Sequence, residues 1–167
     1  VSILFDDLLL CYNSTILTKK ELTMALKDII NTRVHEYYWE YDYSCAITSL
    51  KILTEIFDLE TNPQILSAAF GLNAGRNRLQ CGLVQEALMF LGIYYKNKNL
   101  GPNEIANICH EYINLFQDEF GSIECKELRP QGFSPDNPPH LCEQLSRDAI
   151  YFAAQFIHKT NDKYNVK

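Results

Sequence analysis

The spacing of apolar residues along the chain predicts helices almost throughout. From Thr18 to about Tyr41, apolar residues recur every three or four positions. This run opens on Thr18-Lys19-Lys20-Glu21, a capping box in which a hydroxyl and a carboxylate each accept a backbone N–H. A second helical run begins near Ser44. Breaks and caps predict four further helix starts, at Asn62-Pro63, near Gln80, at Gly101-Pro102-Asn103 and at Asn137-Pro138.

No stretch of the chain shows the alternation of apolar and polar residues that is typical of a strand. Residues 122–136 carry two prolines and one glycine and are predicted to be mostly irregular. The fold class is therefore all-α, a helical bundle of about five to seven helices. The length of 167 residues predicts one domain over residues 1–167, with residues 1–17 as an N-terminal extension.

The composition and charge of the chain exclude several classes of protein function. Apolar residues make up 47% of the chain, and 10 tyrosines and 9 phenylalanines predict an aromatic core. The formal net charge is -6 and no cluster of Lys and Arg occurs, so neither nucleic acid nor a membrane is an expected partner. The chain has no apolar run long enough for a membrane helix and no basic, signal-like start, so we expect a cytoplasmic protein.

Cysteine is the residue type in this chain that most clearly indicates a chemical function. Three of the six cysteines fall at or near predicted helix starts, where exposed N–H groups and the helix dipole favour a thiolate. A thiolate can attack a disulfide or bind a soft metal. Cys109 falls within a predicted helix, where burial is expected. The candidate site cysteines are Cys45, Cys81, Cys125 and Cys142, the third of which lies in the irregular stretch.

These cysteines form no local motif. Cys-x-x-Cys, haem-attachment and closely spaced zinc or ferredoxin patterns are all missing. A shared site must therefore be assembled by tertiary packing, and the sequence leaves the pairing of the cysteines open.

Other residues near the cysteines have two possible roles. Arg76 and Arg78, in the loop before Cys81, would hold an anion or favour a thiolate if they lie near the sulfur; otherwise they are solvated loop charges. The histidines, including His110, are more often surface residues. An aromatic cluster before Cys45 is expected in the core or an interface, with a ring-lined binding pocket as the alternative; it comprises Tyr37, Tyr38, Trp39, Tyr41 and Tyr43.

The order of these segments over residues 37–156 resembles the C-GCAxxG-C-C family, redox-active proteins of bacteria and archaea. The resemblance is carried by Tyr43-Ser44-Cys45-Ala46, Ala69-Phe70-Gly71, Gln80-Cys81-Gly82, Met89-Phe90-Leu91-Gly92, the segment 116–121, Cys125-Lys126-Glu127-Leu128 and Cys142. It implies four functional cysteines, the same four named above, and leaves Cys11 and Cys109 outside the family pattern.

The central motif departs from that pattern in two positions. Leu83 replaces the expected alanine and Glu86 the expected glycine. Small residues such as Gly82 let a cofactor or partner helix approach closely, whereas a carboxylate at Glu86 would crowd that face and disfavour a nearby thiolate. The candidate cofactor-binding residues are Arg76, Arg78, Gly82 and Glu86.

Two functional hypotheses follow. In the first, the four cysteines converge and the protein is a thiol-based oxidoreductase or electron carrier with a redox partner protein. The thiols would then act by thiol–disulfide exchange or bind an iron–sulfur cluster or another soft metal. In the second, the protein is a non-catalytic helical module whose cysteines are structural and whose aromatic faces bind a partner or a second copy, as in a homodimer.

Overall fold

The computed structural model describes residues 18–60, 62–72 and 78–166. These residues form seven α-helices and no strand, which confirms the predicted all-α bundle. A single 3₁₀ turn, Phe70–Leu72, follows the third helix. The helices are α1 (Lys19–Trp39), α2 (Cys45–Ile56), α3 (Pro63–Ala69), α4 (Gly82–Asn97), α5 (Pro102–Phe120), α6 (Cys125–Leu128) and α7 (Glu143–Tyr164).

Most helix starts follow directly from local sequence. The capping box of Thr18 and Glu21 is formed at the start of α1. The Ser44 side chain accepts the N–H of Ile47 and thereby caps α2. Asn62 caps α3 with proline as the first helical residue. These caps determine the residue at which each of the three helices begins.

The predicted start of the last helix is wrong. Asn137 does not cap a helix; its side-chain amide donates to the carbonyls of Gln131 and Gly132, at 3.3 and 2.9 Å, and thereby closes a loop. Helix α7 begins at Glu143 instead, with Cys142 as its N-cap residue. The Asn137-Pro138 pattern does not start a helix here, because the Asn137 side chain bonds to nearby loop carbonyls and not to the N–H groups of a helix.

Helix α2 occupies the centre of the bundle and packs against α1, α3, α4 and α7. Its Leu50, Ile52 and Leu53 are completely buried. The core is rich in aromatic side chains, as composition predicted, with Phe90, Tyr95, Tyr112 and Phe116 among the largest fully buried residues. Because α2 and α4 share the most extensive packing, residues at their first turns are held in fixed relative positions.

An isolated antiparallel bridge between Gln80 and Glu124 joins the start of α4 to the start of α6. The Cys81 N–H donates to the Ile123 carbonyl at 2.8 Å, and the Cys125 N–H donates to the Leu79 carbonyl at 2.6 Å. Two cysteines that are distant in sequence are thus fixed side by side by their own backbones.

Cys11 and Arg76 lie outside the described residues. Among the helices that are described, none combines the length and the apolar character needed to cross a membrane.

Candidate functional site

A pocket of about 260 Å³ lies where four helices begin, and four cysteines line it. Cys45 is the first residue of α2, and Cys125 is the first residue of α6. Cys81 and Cys142 are the N-cap residues of α4 and α7. All four are free thiols. Folding therefore brings all four predicted site cysteines to the wall of one pocket, with Cys125 in a short helix rather than in an irregular segment.

Aromatic rings form much of the remaining wall. His140 stacks on Tyr38 with ring centroids 5.2 Å apart, and Trp39 meets His140 edge-on at 4.7 Å. The Tyr38 hydroxyl shares a 2.7 Å hydrogen bond with Ser146 in α7, which fixes the ring against that helix. The other wall residues include Asp42, Tyr43, Arg129 and Phe133.

Arg129 is a cationic side chain next to the thiols. Its Nη1 lies 3.6 Å from Cys142 Sγ, and its Nε donates to the Gly132 carbonyl at 2.8 Å. The guanidinium lies over the Phe133 ring, 4.0 Å from the centroid. This geometry holds a positive charge at Cys142, where it stabilises negative charge on the sulfur.

Cys45 lies against the backbone of Gly82, the residue that follows Cys81. A Cβ placed on Gly82 would lie 2.9 Å from Cys45 Sγ and 3.4 Å from the Ala46 Cβ. A real Cβ does not tolerate the first of these distances, so the close packing of α2 on α4 at this point requires glycine.

Burial raises the pKa of three pocket thiols. For Cys45 the cause is burial, followed by the neighbouring thiol of Cys81. Burial raises the pKa of Cys81 to about 11, although the backbone N–H groups of Leu83 and Val84 oppose the change. Burial also raises the pKa of Cys125, against the opposing charges of nearby arginines. The expectation that a helix start favours a thiolate is wrong for Cys45 and Cys81, because desolvation outweighs the helix N-terminus.

The predicted cofactor-binding residues have different surroundings. Gly82 lines the pocket, whereas Arg78 and Glu86 are not among its lining residues. Arg78 Nη2 donates to the carbonyls of Lys126, Arg129 and Pro130, at 3.1, 2.9 and 3.3 Å. Arg78 therefore secures the end of α6 and, through it, the position of Arg129. The Glu86 side chain is fully buried.

Arg129 and His140 belong to the site but were not predicted from the sequence. Arg129 follows Cys125 by four residues, so it would have been found had the short helix α6 been recognised. His140, discounted as a surface histidine, stands two residues before Cys142 and lines the pocket with Tyr38 and Tyr43 of the aromatic cluster. His110, by contrast, is exposed and hydrogen-bonded to Asn114, as predicted for a surface histidine.

The structure gives no support for the metal site predicted at Cys45, Cys81, Cys125 and Cys142. Within the described parts of the chain, no group of three or more His, Cys, Asp and Glu side chains is placed to hold a metal ion. Four thiols share the wall of the pocket. Disulfide chemistry needs only two sulfurs to meet at a time.

Comparison with known proteins gives the family. The family model described as "Putative redox-active protein (C_GCAxxG_C_C)" matches residues 43–156 and so includes every pocket cysteine. The chain belongs to the C-GCAxxG-C-C family. The resemblance seen in the sequence is thereby confirmed, and the redox description is that of the C-GCAxxG-C-C family as a whole. Searches of curated proteins and of solved structures found no match to this chain.

Substituting Gly82 tests the contact between α2 and α4. We expect Gly82→Ala to lower the free energy of unfolding by about 1–3 kcal/mol, because Cys45 must leave its position to make room for the methyl group. Gly92→Ala, in the same helix with open space around it, should instead raise it by about 1 kcal/mol through helix propensity. Urea unfolding of both variants measures these changes, and equal effects at the two glycines would contradict the contact.

Proposed function

We propose that this protein is a dithiol–disulfide redox protein that exchanges electrons with a disulfide-bearing partner protein. The observation that carries the proposal is the pocket, since four free cysteines from four separate chain segments line its wall. The family description supports redox chemistry in general. Thiol–disulfide exchange is favoured over a metal centre because the described residues contain no group of three or more His, Cys, Asp and Glu side chains placed to hold a metal ion.

Cys142 is the thiol best suited to attack an incoming disulfide. It is partly exposed, whereas Cys81 and Cys125 are 4% and 6% exposed. Arg129 contacts its sulfur and stabilises negative charge there. A buried thiol with a pKa of about 11, such as Cys81, is ionised to only about one part in ten thousand at pH 7, and the thiolate is the reactive form.

The exchange proceeds in two balanced steps. The Cys142 thiolate attacks one sulfur of the partner's disulfide, which forms a mixed disulfide and releases the other partner sulfur as a thiolate. A second pocket cysteine then attacks Cys142, which forms an internal disulfide and releases the partner's second sulfur. Two protons leave the pocket thiols and are taken up by the two partner thiolates. The partner is reduced by two electrons, and the pocket is oxidised by two.

The rim of the pocket supports a protein as the partner. Trp39 is 52% exposed and Phe133 is 46% exposed, and both adjoin His140 or the thiols. Exposed apolar side chains grouped around a reactive site are typical of a docking surface for another protein. Other exposed apolar residues adjoin residues of the pocket wall, either in sequence or in space. These are Tyr41, Phe70, Leu79 and Leu141.

A redox titration tests the proposal. The protein is equilibrated anaerobically in mixtures of reduced and oxidised dithiothreitol, the remaining thiols are alkylated, and linked peptides are mapped by mass spectrometry. We expect pocket thiols to disappear in pairs, with links only among Cys45, Cys81, Cys125 and Cys142. Cys109, which is outside the pocket, should stay free and serves as the internal control.

Two results would overturn this function. If all four pocket thiols stay free in oxidising mixtures, the result favours the alternative that the cysteines are structural residues of a non-catalytic helical module. The purified protein could instead bind iron or another metal stoichiometrically and lose it when the pocket cysteines are alkylated. That result would favour the hypothesis that the cysteines bind an iron–sulfur cluster or another soft metal.

A further inference from the structure

Arg129 gives the cysteine pocket a positive charge that no carboxylate of the described residues neutralises by an ion pair. The guanidinium contacts the Gly132 carbonyl, the Cys142 sulfur and the Phe133 ring. Arg33, by contrast, has guanidinium nitrogens 2.7 and 3.0 Å from the carboxylates of two glutamates. In a chain whose formal net charge is -6, a cation of the pocket wall without a carboxylate partner is open to an anionic ligand.

Part of the Arg129 guanidinium is available to such a ligand. A guanidinium has N–H donors on all three of its nitrogens, and those of Nη2 have no partner among the described residues. In the same part of the chain, no Arg129 nitrogen is both buried and without a partner. The Nη2 donors are therefore accessible beside the thiol. Paired N–H groups on one edge of a guanidinium match the two oxygens of a carboxylate.

The guanidinium is ordered before a ligand binds. Its Nε donates to the Gly132 carbonyl at 2.8 Å, and the Phe133 ring centroid lies 4.0 Å from its central carbon. The Arg129 backbone carbonyl accepts an N–H of Arg78 at 2.9 Å. Because the side chain is already fixed, a carboxylate that binds to it immobilises few additional rotamers.

The separation of Arg129 and Cys142 suits a carboxylate on a short arm. Nη1 lies 3.6 Å from Cys142 Sγ. A carboxylate oxygen accepts a guanidinium N–H at about 2.8 Å, and a disulfide sulfur poised for attack lies about 3–3.5 Å from the attacking atom. When two carbon atoms separate a carboxylate from its sulfur, the carboxylate carbon is about 4 Å from that sulfur. One short substituent therefore spans both contacts.

We propose that Arg129 selects disulfides that carry a carboxylate close to the sulfur that Cys142 attacks. This inference names the substrate class of the proposed thiol–disulfide exchange and rests on it. The Cys142 thiolate bonds to the sulfur that carries the carboxylate arm, and the bond between the two substrate sulfurs breaks. A second pocket thiol then displaces the arm from Cys142. The substrate gains two electrons and the pocket loses two, and both released thiolates take up the protons that the two pocket thiols lost.

The other ionisable groups of the pocket wall leave the charge of Arg129 available. Asp42 is the carboxylate residue among the described wall residues; it is exposed and is not ion-paired with Arg129. It repels an anion, so a bound carboxylate lies at Arg129 and away from Asp42. The His140 ring is stacked on Tyr38, 5.2 Å between centroids. The wall thus has one strong contact for a carboxylate, beside the exposed thiol.

The test compares three disulfides of similar size and different charge at pH 7. 3,3′-Dithiodipropionate is dianionic, bis(2-hydroxyethyl) disulfide is neutral and cystamine is cationic. The second-order rate constant for oxidation of the reduced protein is measured for each and divided by its rate constant with dithiothreitol, which corrects for intrinsic reactivity. Long-range attraction to a chain of net charge -6 favours cystamine. We expect the opposite order, with the dianion roughly tenfold faster than the neutral reagent.

Arg129→Gln separates recognition of the carboxylate from activation of the thiol. Loss of the charge at Cys142 slows all three reactions, whereas loss of the carboxylate contact slows the dianion further. We expect the preference for the dianion over the neutral reagent to fall from roughly tenfold to about one. Arg33→Gln removes an arginine of α1 that is paired with glutamates, and it should keep the wild-type order. Circular dichroism establishes that both variants are folded, and the wild-type series tests the inference without them.

A pair of peptides identifies the source of the carboxylate. The two disulfide-bonded peptides differ only in an aspartate or an asparagine next to the cystine. A faster reaction of the aspartate peptide assigns the carboxylate to an acidic side chain of a partner protein. A preference for the carboxylate in the small disulfides alone supports selection by Arg129 but replaces the protein partner with a small-molecule disulfide.

The outcomes distinguish this inference from the function on which it depends. If none of the disulfides oxidises the pocket thiols, the exchange and its selectivity are both wrong. If the thiols are oxidised with cystamine as the fastest reagent, or at equal rates by all three reagents, the role of Arg129 in selection is wrong and the exchange stands. The same conclusion follows if Arg129→Gln keeps the wild-type preference.

Discussion

Glu86→Gln is expected to abolish most of the loss of stability that the wild-type protein undergoes between about pH 5 and pH 8. In the folded protein, burial raises the pKa of Glu86 from its ordinary value of 4.5 to about 8. In the unfolded chain this group releases its proton near the ordinary value. The stabilisation is therefore fully present below the unfolded pKa and is lost as the pH rises through the folded one.

The expected size of this effect is large relative to the stability of a domain. A pKa difference of this extent corresponds to roughly 5 kcal/mol, and whole domains are stable by about 5–15 kcal/mol. Glutamine has nearly the same shape and does not titrate. The variant should therefore be more stable than wild type at pH 8 and should depend much less on pH.

Urea unfolding at unit intervals from pH 5 to pH 9 measures this prediction. Glu119→Gln is the matched control, since the same change is made at an exposed position of α5. We expect its curve to run parallel to that of wild type. A Glu86→Gln curve that also ran parallel to wild type would mean that the buried carboxyl does not titrate as described.

Cys142→Ser is expected to lower the rate of thiol–disulfide exchange at pH 7 by roughly a hundredfold or more. The serine hydroxyl fits the same space but is not a nucleophile at this pH. Burial raises the pKa of each of the other three pocket thiols, so few of them are thiolates and none replaces Cys142 efficiently.

The rate is followed with a disulfide-bonded peptide that carries an aromatic residue next to its cystine, which suits the apolar rim. Cys109→Ser provides the control, because Cys109 lies in the middle of α5 and outside the pocket. It should react like wild type. Equal rates for Cys142→Ser and Cys109→Ser would show that the attacking thiol is another residue.

Helix positions could be predicted from the sequence where the decisive interactions are local. The capping box at Thr18 and the Asn62-Pro63 start depend on residues within one turn, and both are formed. Asn137-Pro138 carries a similar signal but begins no helix, because the Asn137 amide bonds to carbonyls of the preceding loop. A local pattern does not show which nearby group an asparagine will satisfy.

The site could be predicted only in part, because a local sequence pattern does not show how distant segments pack together. That Cys45 and Cys81 stand at helix starts follows from capping signals and spacing, and the structure agrees. Cys142 caps the last helix because that helix begins at Glu143, and not at the predicted Asn137-Pro138. The effect of burial on the pKa values of Cys45, Cys81 and Cys125 does not follow from the sequence, because desolvation depends on how α2, α4 and α6 pack. A cytoplasmic location and a homodimer stay predictions from the sequence.

Arg129 and Glu86 illustrate what tertiary packing adds. Arg129 reaches Cys142 from the end of α6, and the Arg78 guanidinium donates to the Arg129 carbonyl at 2.9 Å. The sequence predicts that Glu86 crowds the cysteine face, whereas its side chain is fully buried beside the Ser49 hydroxyl. Contacts between residues so far apart in sequence leave no periodic signal in the chain.

The central claim, that the pocket cysteines share one site, is tested most directly with phenylarsine oxide, whose arsenic bonds stably only where two thiols reach it together. The reduced protein is treated with the reagent, and the bridged cysteines are identified by mass spectrometry of the digested adduct. We predict that every bridge joins two members of the set Cys45, Cys81, Cys125 and Cys142, with none at Cys109. A folded, fully reduced protein that forms no bridged adduct, or one bridged through Cys109, would contradict the shared site.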